Sequence, residues 1–291
     1  MVGQQESETT VTGPAPGSAE WLKWMTASKI AAVVGTSPYE SRFSLWHRMK
    51  GNLPPQEPSA EMAYGHYLEP VLLKWFADQH PELHVTPGHW MSAYEWAGAT
   101  PDGLFTEAET MRTGLVQCKT ARQSWEWADG VPIGYRDQVQ WEMWVAGEDV
   151  CYVVADVAME FREYIVERDD ERIAHLIEAG RAFMDSLAAD NPPEINDGST
   201  ATYEAIRHLH PDINGEDVEI PTPLAVTWLT AKRSAALWAE KEAAAKNRIA
   251  GILGDGKRAR HGKHTLFGRQ SKSGGTPYLV AGRSLPHPKD L

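Results

Sequence analysis

The chain has 291 residues, 42% of them hydrophobic and 23% charged, and a formal net charge of −12. That length can bury a full core, and the acidic balance argues against a generic nucleic-acid coat. Its two cysteines, Cys118 and Cys151, exclude a four-cysteine iron–sulfur cluster and a disulfide framework, and suit a reducing cytoplasm.

Residues 1–19 are polar and rich in Gly, Pro, Ser and Thr. With no basic start and no apolar stretch, they predict a disordered tail and not a signal peptide. Thr26 to Gly35 reads as a short helix, with Thr26 as N-cap and Ile30, Val33 and Val34 as its buried stripe. A second helix is predicted from Phe43 to Met49, and a third from Ser59 to Gln79 that contains Pro70, expected to bend it beside Glu69. Strands follow at His84–Pro87, His89–Ser92, Ala99–Thr106 and Gly114–Thr120. Tyr135 to Ala146 is helical and stops at Gly147, and two more strands cover Val150–Asp156 and Phe161–Glu167. A charged helix runs from Asp169 to Leu187, where Asn191-Pro192-Pro193 ends the core.

Residues 196–222 carry little pattern. Leu224 to Leu253 is a strong helix former suited to an arm, Gly254 to Gly262 is a basic loop, and His264–Gln270 with Pro277–Ala281 reads as a hairpin. From Lys241 to Lys272 there are nine Lys or Arg against Glu242 and Asp255. This stretch is about +7 and the remainder about −19, so it is either a solvated face or a DNA contact. The organisation predicted is a tail at 1–19, a core at 20–195 and an extension at 196–291. No apolar run approaches the roughly 20 residues of a membrane span.

The chemistry concentrates where two strands are expected side by side. Asp102 lies on the first. On the second, the period of two in Leu115-Val-Gln117-Cys118-Lys119 puts Leu115, Gln117 and Lys119 on one face, with Val116 and Cys118 turned into a core. A carboxylate, an amide oxygen and a lysine so arranged suit a metal-dependent phosphodiesterase centre. Oxygen ligands hold Mg²⁺ there, and the lysine positions or activates the attacking water. Glu69 can add a third oxygen from its helix. Thr26 and Ser28 bring hydroxyls to a helix start that favours an anion, and Thr100 is expected on the Asp102 face as a further phosphate contact. Gln138 lies one turn before Glu142 on the helix that carries Tyr135, while Trp141, Met143 and Trp144 suit a core. The histidines show no zinc spacing, and no Walker loop is present.

Six stretches together carry a family resemblance. They are Met25-Thr-Ala-Ser-Lys-Ile, Gly65-His-Tyr-Leu-Glu69-Pro, Ala99-Thr-Pro-Asp102-Gly, Leu115-Val-Gln-Cys-Lys119, Pro132-Ile-Gly-Tyr-Arg-Asp-Gln138-Val-Gln-Trp-Glu-Met-Trp-Val and Tyr164-Ile-Val-Glu-Arg-Asp. In this order, from Trp24 to Asn191, the chain resembles the lambda-exonuclease or YqaJ-like viral recombinase family of PD-(D/E)xK nucleases. The resemblance implies an α/β fold with a restriction-endonuclease-like core, a mixed central sheet flanked by helices. It implies a Mg²⁺-dependent exonuclease, with Mn²⁺ as a substitute, that degrades linear duplex DNA from a 5′ end and leaves 3′ single strands for phage-type recombination. Asp102, Gln117 and Glu69 then match metal ligands, Lys119 the water-activating lysine, and Gln138 a glutamine of the site. Ser28 and Thr100 match 5′-phosphate positions, with Thr26, Lys23 and Tyr135 beside them. The expected partners are duplex DNA ends, a homo-oligomeric ring, with a trimer favoured, and a single-strand annealing protein, with no membrane. The family's usual glutamate is Gln117 here, and Trp21 stands about where its phosphate-gripping arginine is expected. The alternative is a non-catalytic DNA-end-binding protein with a degenerate site, and a third reading is an endonuclease on the same core.

Overall fold

A computed structural model describes residues 13–282, 285–286 and 288–290. Residues 1–12 of the expected tail lie outside the described residues. The chain divides into two compact units, which part between Ile213 and Asn214.

The first unit begins with a short 3-10 turn at Trp21–Lys23, strand β1 (Met25–Thr26), helix α1 (Ala27–Val33) and helix α2 (Arg42–Met49). Ser41 caps α2 through a reciprocal bond with Ser44, which satisfies donors that a helix start leaves free. Helix α3 (Ala60–Gln79) runs through Pro70. Strands β2 (Leu83–Pro87), β3 (Met91–Tyr94), β4 (Ala97–Ala99), β5 (Gly103–Glu107) and β6 (Thr113–Ala121) follow. Helix α4 (Ile133–Ala146) ends at Gly147, whose φ of 75° is the left-handed stop that glycine allows. Strands β7 (Val150–Val157) and β8 (Glu160–Glu167), then helices α5 (Asp170–Ala188) and α6 (Thr200–Leu209), complete the unit.

The main sheet has the order β2-β5-β6-β7-β8, antiparallel throughout except for the parallel β6–β7 pair. Helix α3 covers one face, packing Leu72 and Phe76 on Phe105, Val116, Cys118, Val150 and Val154. Helix α4 covers the other, with Val139 and Met143 against Leu115, Cys151, Val153 and Ala155. The far side of α4 places Trp141 against Ile30 of α1, Trp46 of α2 and Leu176 and Phe183 of α5. This is the predicted α/β class, a mixed sheet between helical layers.

Two details differ from the expectations. The strand predicted over Ala99–Thr106 is two strands in different sheets. β4 pairs with β1 and β3, β5 joins the main sheet, and Thr100-Pro101-Asp102 crosses between them. Pro101 has no N–H to continue a ladder, and Asp102 therefore precedes its strand instead of lying within it. Gly88 makes room for the crossing, because a Cβ there would stand 1.8 Å from the Pro101 carbonyl oxygen. Second, α6 falls in the segment read as unpatterned, so the compact unit runs past residue 195. Ala205 of α6 packs on Phe43 and Leu53, and Thr202 Oγ1 lies 2.6 Å from Ser41 Oγ.

The second unit contains helix α7 (Thr222–Leu253) and a three-stranded antiparallel sheet of β9 (Arg258–His261), β10 (His264–Gln270) and β11 (Tyr278–Ala281). The hairpin is the predicted one, and the basic loop before it supplies the extra strand β9. Among the described residues, no helix is long and apolar enough to cross a membrane.

Lys29 ties the N-terminal turn to the core. Its ammonium donates to the carbonyls of Trp21 (2.6 Å) and Trp24 (2.7 Å) and lies 3.5 Å from the Trp21 ring centroid. Burial pushes its pKa down to about 7, yet a neutral amine still donates both bonds. Lys29→Met is expected to cost about 1–3 kcal/mol, read as a lower urea midpoint at unchanged m-value. A midpoint equal to wild type would show that these bonds hold nothing.

Candidate active site

The site forms where the main sheet splits. β5 pairs with β6 only as far as Gly103 opposite Val116, whereas β6 continues beside β7 to Ala121. Beyond Val116, β6 has no backbone partner on the β5 side. Asp102 fills that role, with its Oδ2 accepting the Cys118 N–H at 2.7 Å. A buried N–H left unpaired is costly, so the carboxylate is positioned by the strand it serves. The Gln117 side chain lies beside the same carboxylate and favours its charged form.

Alternation then behaves as expected. Val116 and Cys118 enter the α3 layer, and Leu115 enters the α4 layer with Gln117 and Lys119 on its face. Gln117 is buried at 3% exposure, and its Oε1 has no hydrogen-bond partner. Lys119 Nζ lies 5.2 Å from the ring centroid of Tyr135 on α4. One turn on, Gln138 Nε2 donates to Glu142 Oε1 at 2.8 Å, leaving Glu142 Oε2 buried and unpartnered.

Burial pushes the Asp102 carboxyl up to about 6. The Lys119 ammonium opposes the rise, the Glu69 carboxylate adds to it, and the bond from Cys118 and the Gln117 side chain oppose it. Glu142 is raised to about 8 by burial, against the pull of Lys119, with a further push from Asp102 and a counter-pull from Gln138. Glu69 stands more open on α3, its side chain 36% exposed and 4.0 Å from His66 Nδ1. Its carbonyl accepts from Cys118 Sγ at 3.8 Å, which holds this turn of α3 to β6.

The hydroxyl residues cluster at the neighbouring sheet. Thr26 Oγ1 and Ser28 Oγ are 3.2 Å apart, and Thr26 makes no side-chain cap to α1. Thr26 is buried and Ser28 exposed. The parallel pairing of Thr26 with Gly98 brings this segment beside the end of β4, where exposed Thr100 begins the crossing to Asp102. Lys23 pairs with Glu20 at 2.7 Å, and the Tyr135 hydroxyl lies 3.4 Å from that of Tyr39.

Sequence reading did not single out Glu142. Its signal is the face Tyr135, Gln138, Val139, Glu142, Met143, Ala146, a helical stripe in which two polar residues sit among the apolar ones that pack on β6.

The donors here are oxygens, which suits a hard divalent cation. Among the described residues, no group of three His, Cys, Asp or Glu side chains is arranged to hold a metal ion. The unpartnered amide oxygen of Gln117 beside Asp102 is an oxygen donor that such a grouping leaves out, and it is of the kind a hard divalent cation takes.

The pH response follows from these carboxyls. An acid whose folded pKa is raised binds more protons folded than unfolded, so it costs stability as pH rises from its unfolded value to its folded one. For Asp102 this window runs from 3.8 to about 6, and for Glu142 from 4.5 to about 8. In divalent-free buffer, Asp102→Asn is therefore expected to gain stability relative to wild type as pH rises from 4 to 7, read from paired thermal melts. A pH-independent difference would show that Asp102 is not desolvated as described.

Residues 20–149 match the YqaJ-like viral recombinase domain. The uncharacterized protein YqaJ of Bacillus subtilis (strain 168) is 26% identical over 204 residues, 65% of this chain and 62% of that protein, so the chain spans less than two thirds of that relative. Among solved structures, the alkaline exonuclease LHK-Exo of Laribacter hongkongensis is 26% identical with a TM-score of 0.47, covering 58% of this chain and 90% of its own. A phage related exonuclease from Haemophilus somnus 129PT is 14% identical with a TM-score of 0.45, covering 57% and 96%. The stretch that carries Asp102, Gln117 and Lys119 lies within the residues that match this domain.

Proposed function

We propose that the protein is a divalent-metal-dependent nuclease that digests one strand of linear duplex DNA from its 5′ end, producing 3′ single strands for recombination. The observation that carries this reading is the split in the sheet, where Asp102, the unpartnered Gln117 oxygen and Lys119 meet. The match of residues 20–149 to the YqaJ-like viral recombinase domain supports the substrate class.

Asp102 and Gln117 would hold the cation, with Glu69 as a further oxygen donor. When bound, the cation polarises the scissile phosphate and acidifies a water. Lys119 faces the same space and orients the attacking water while offsetting charge on the phosphate. Gln138 fixes the Glu142 carboxylate. Ser28 and Thr100, with Thr26 behind them, receive the terminal 5′-phosphate, and Lys23 and Tyr135 border the path of the strand. A ring of subunits and a single-strand annealing protein as partner rest on the family resemblance.

Purified protein with Mg²⁺ is expected to digest 5′-phosphorylated linear duplex faster than the 5′-hydroxyl form and to spare closed circles. Lys119→Ala is expected to slow this at least 10²-fold, and Asp102→Ala to abolish it, in a single-turnover gel assay. Equal loss of linear and circular duplex would point to an endonuclease. End binding without product in Mg²⁺ or Mn²⁺ would favour the non-catalytic alternative.

Gln117 provides a separate test. Gln117→Glu restores a carboxylate and is expected to keep activity or raise it, whereas Gln117→Ala lowers it. An inactive Gln117→Glu beside a fully active Gln117→Ala would remove Gln117 from the metal ligands.

A further inference from the structure

Glu142 is a deeply buried carboxylate near the split sheet that keeps one oxygen unpaired. It is 1% exposed, and it sits on the α4 face that packs over β6. One oxygen accepts from Gln138 at 2.8 Å, and the other has no partner. A buried carboxylate oxygen without a donor is among the costliest groups a fold can carry. Other polar residues of α4 are satisfied: Asp137 accepts from both Arg172 and Thr36, and Gln140 bonds the Glu167 carbonyl and the Asp169 N–H. Glu142 instead feels the charges of Lys119 and Asp102. On β6, whose Leu115–Gln117–Lys119 face is the one α4 covers, Gln117 also presents a buried oxygen without a donor.

Both unpartnered acceptors, one on the strand and one on the helix, would be satisfied by a positive group. Lys119 alone balances one of the two charges on Asp102 and Glu142, and a divalent cation balances the remainder with charge to spare for phosphate. We propose that Glu142 supplies from α4 the carboxylate that β6 lacks at Gln117, so that the cation is held by Asp102, Gln117 and Glu142. The acidic ligand has changed elements while the charge of the site is kept. This assignment rests on the metal-dependent reading above, and it makes Glu142 a ligand in place of the more exposed Glu69.

The test is calorimetric titration of the metal-free full-length protein with Mn²⁺, without DNA. Wild type is expected to bind, and Glu142→Gln to bind at least tenfold more weakly. Adding Gln117→Glu to Glu142→Gln is expected to bring affinity back to within about threefold of wild type, since the carboxylate returns on the strand. Thermal melts of the metal-free proteins give a second reading. Glu142→Gln should melt no lower than wild type, because it replaces a buried acid that nothing in the fold neutralises, whereas a merely structural glutamate would be missed. Should Glu142→Gln fail to fold, Glu142→Met, apolar and of similar volume, must show the same loss of Mn²⁺. Unchanged Mn²⁺ binding in either folded variant overturns the assignment and leaves the nuclease reading intact. Absence of Mn²⁺ binding by wild type overturns both.

Discussion

Helix α4 is buried on two sides, and most of the first unit is arranged around that fact. Its Val139 and Met143 lie on the main sheet while Trp141 lies in the layer made by α1, α2 and α5. From Asp137 to Met143 the helix is largely buried and leaves polar side chains little solvent to face. Each one it carries must find a partner inside the protein. Asp137 and Gln140 do so by clamping α5 and the end of β8, so the polar residues of α4 fasten the helical layer to the sheet. The Gln138–Glu142 pair faces the opposite way, toward β6, and joins the same helix to the chemistry.

The sheet contributes the complementary half. β6 is paired on both sides along its first part and on one side along its second. The lost partner opens a wedge lined by side chains that alternate between two buried layers. Asp102 is held there by a backbone N–H and not by a flexible contact. A carboxylate fixed this way keeps its direction whether or not a ligand is present, which is the preorganisation a charged site needs in a low dielectric.

Much of this was legible in the sequence where one periodicity dominates. The strand 115–119 showed its two faces, α3, α4, α5 and α7 showed their lengths, and Gly147 marked its own stop. Short-range patterns failed where tertiary contacts decide. Ala99 to Thr106 reads as one strand because its residues suit a strand throughout, and only the pairing of β4 with β1 breaks it. Helix α6 is short and polar and is secured by Ala205 and Thr202 against α2 and its cap. Glu142 reads only as a neighbour of Gln138, because alternation along β6 tells which side Gln117 faces and says nothing of which helix covers that side.

The crossing Thr100-Pro101-Asp102 sets a length. Two residues of chain keep the Cα atoms of Thr100 and Asp102 within about 7 Å of one another. Gly88 packs so tightly on Pro101 that the crossing has no room to slide. In an exonuclease of the proposed kind, the residue that meets the terminal phosphate and the residue that meets the cation are thus separated by a covalent ruler. Changes in the surrounding loops would leave that separation as it is, because it is set by the backbone itself.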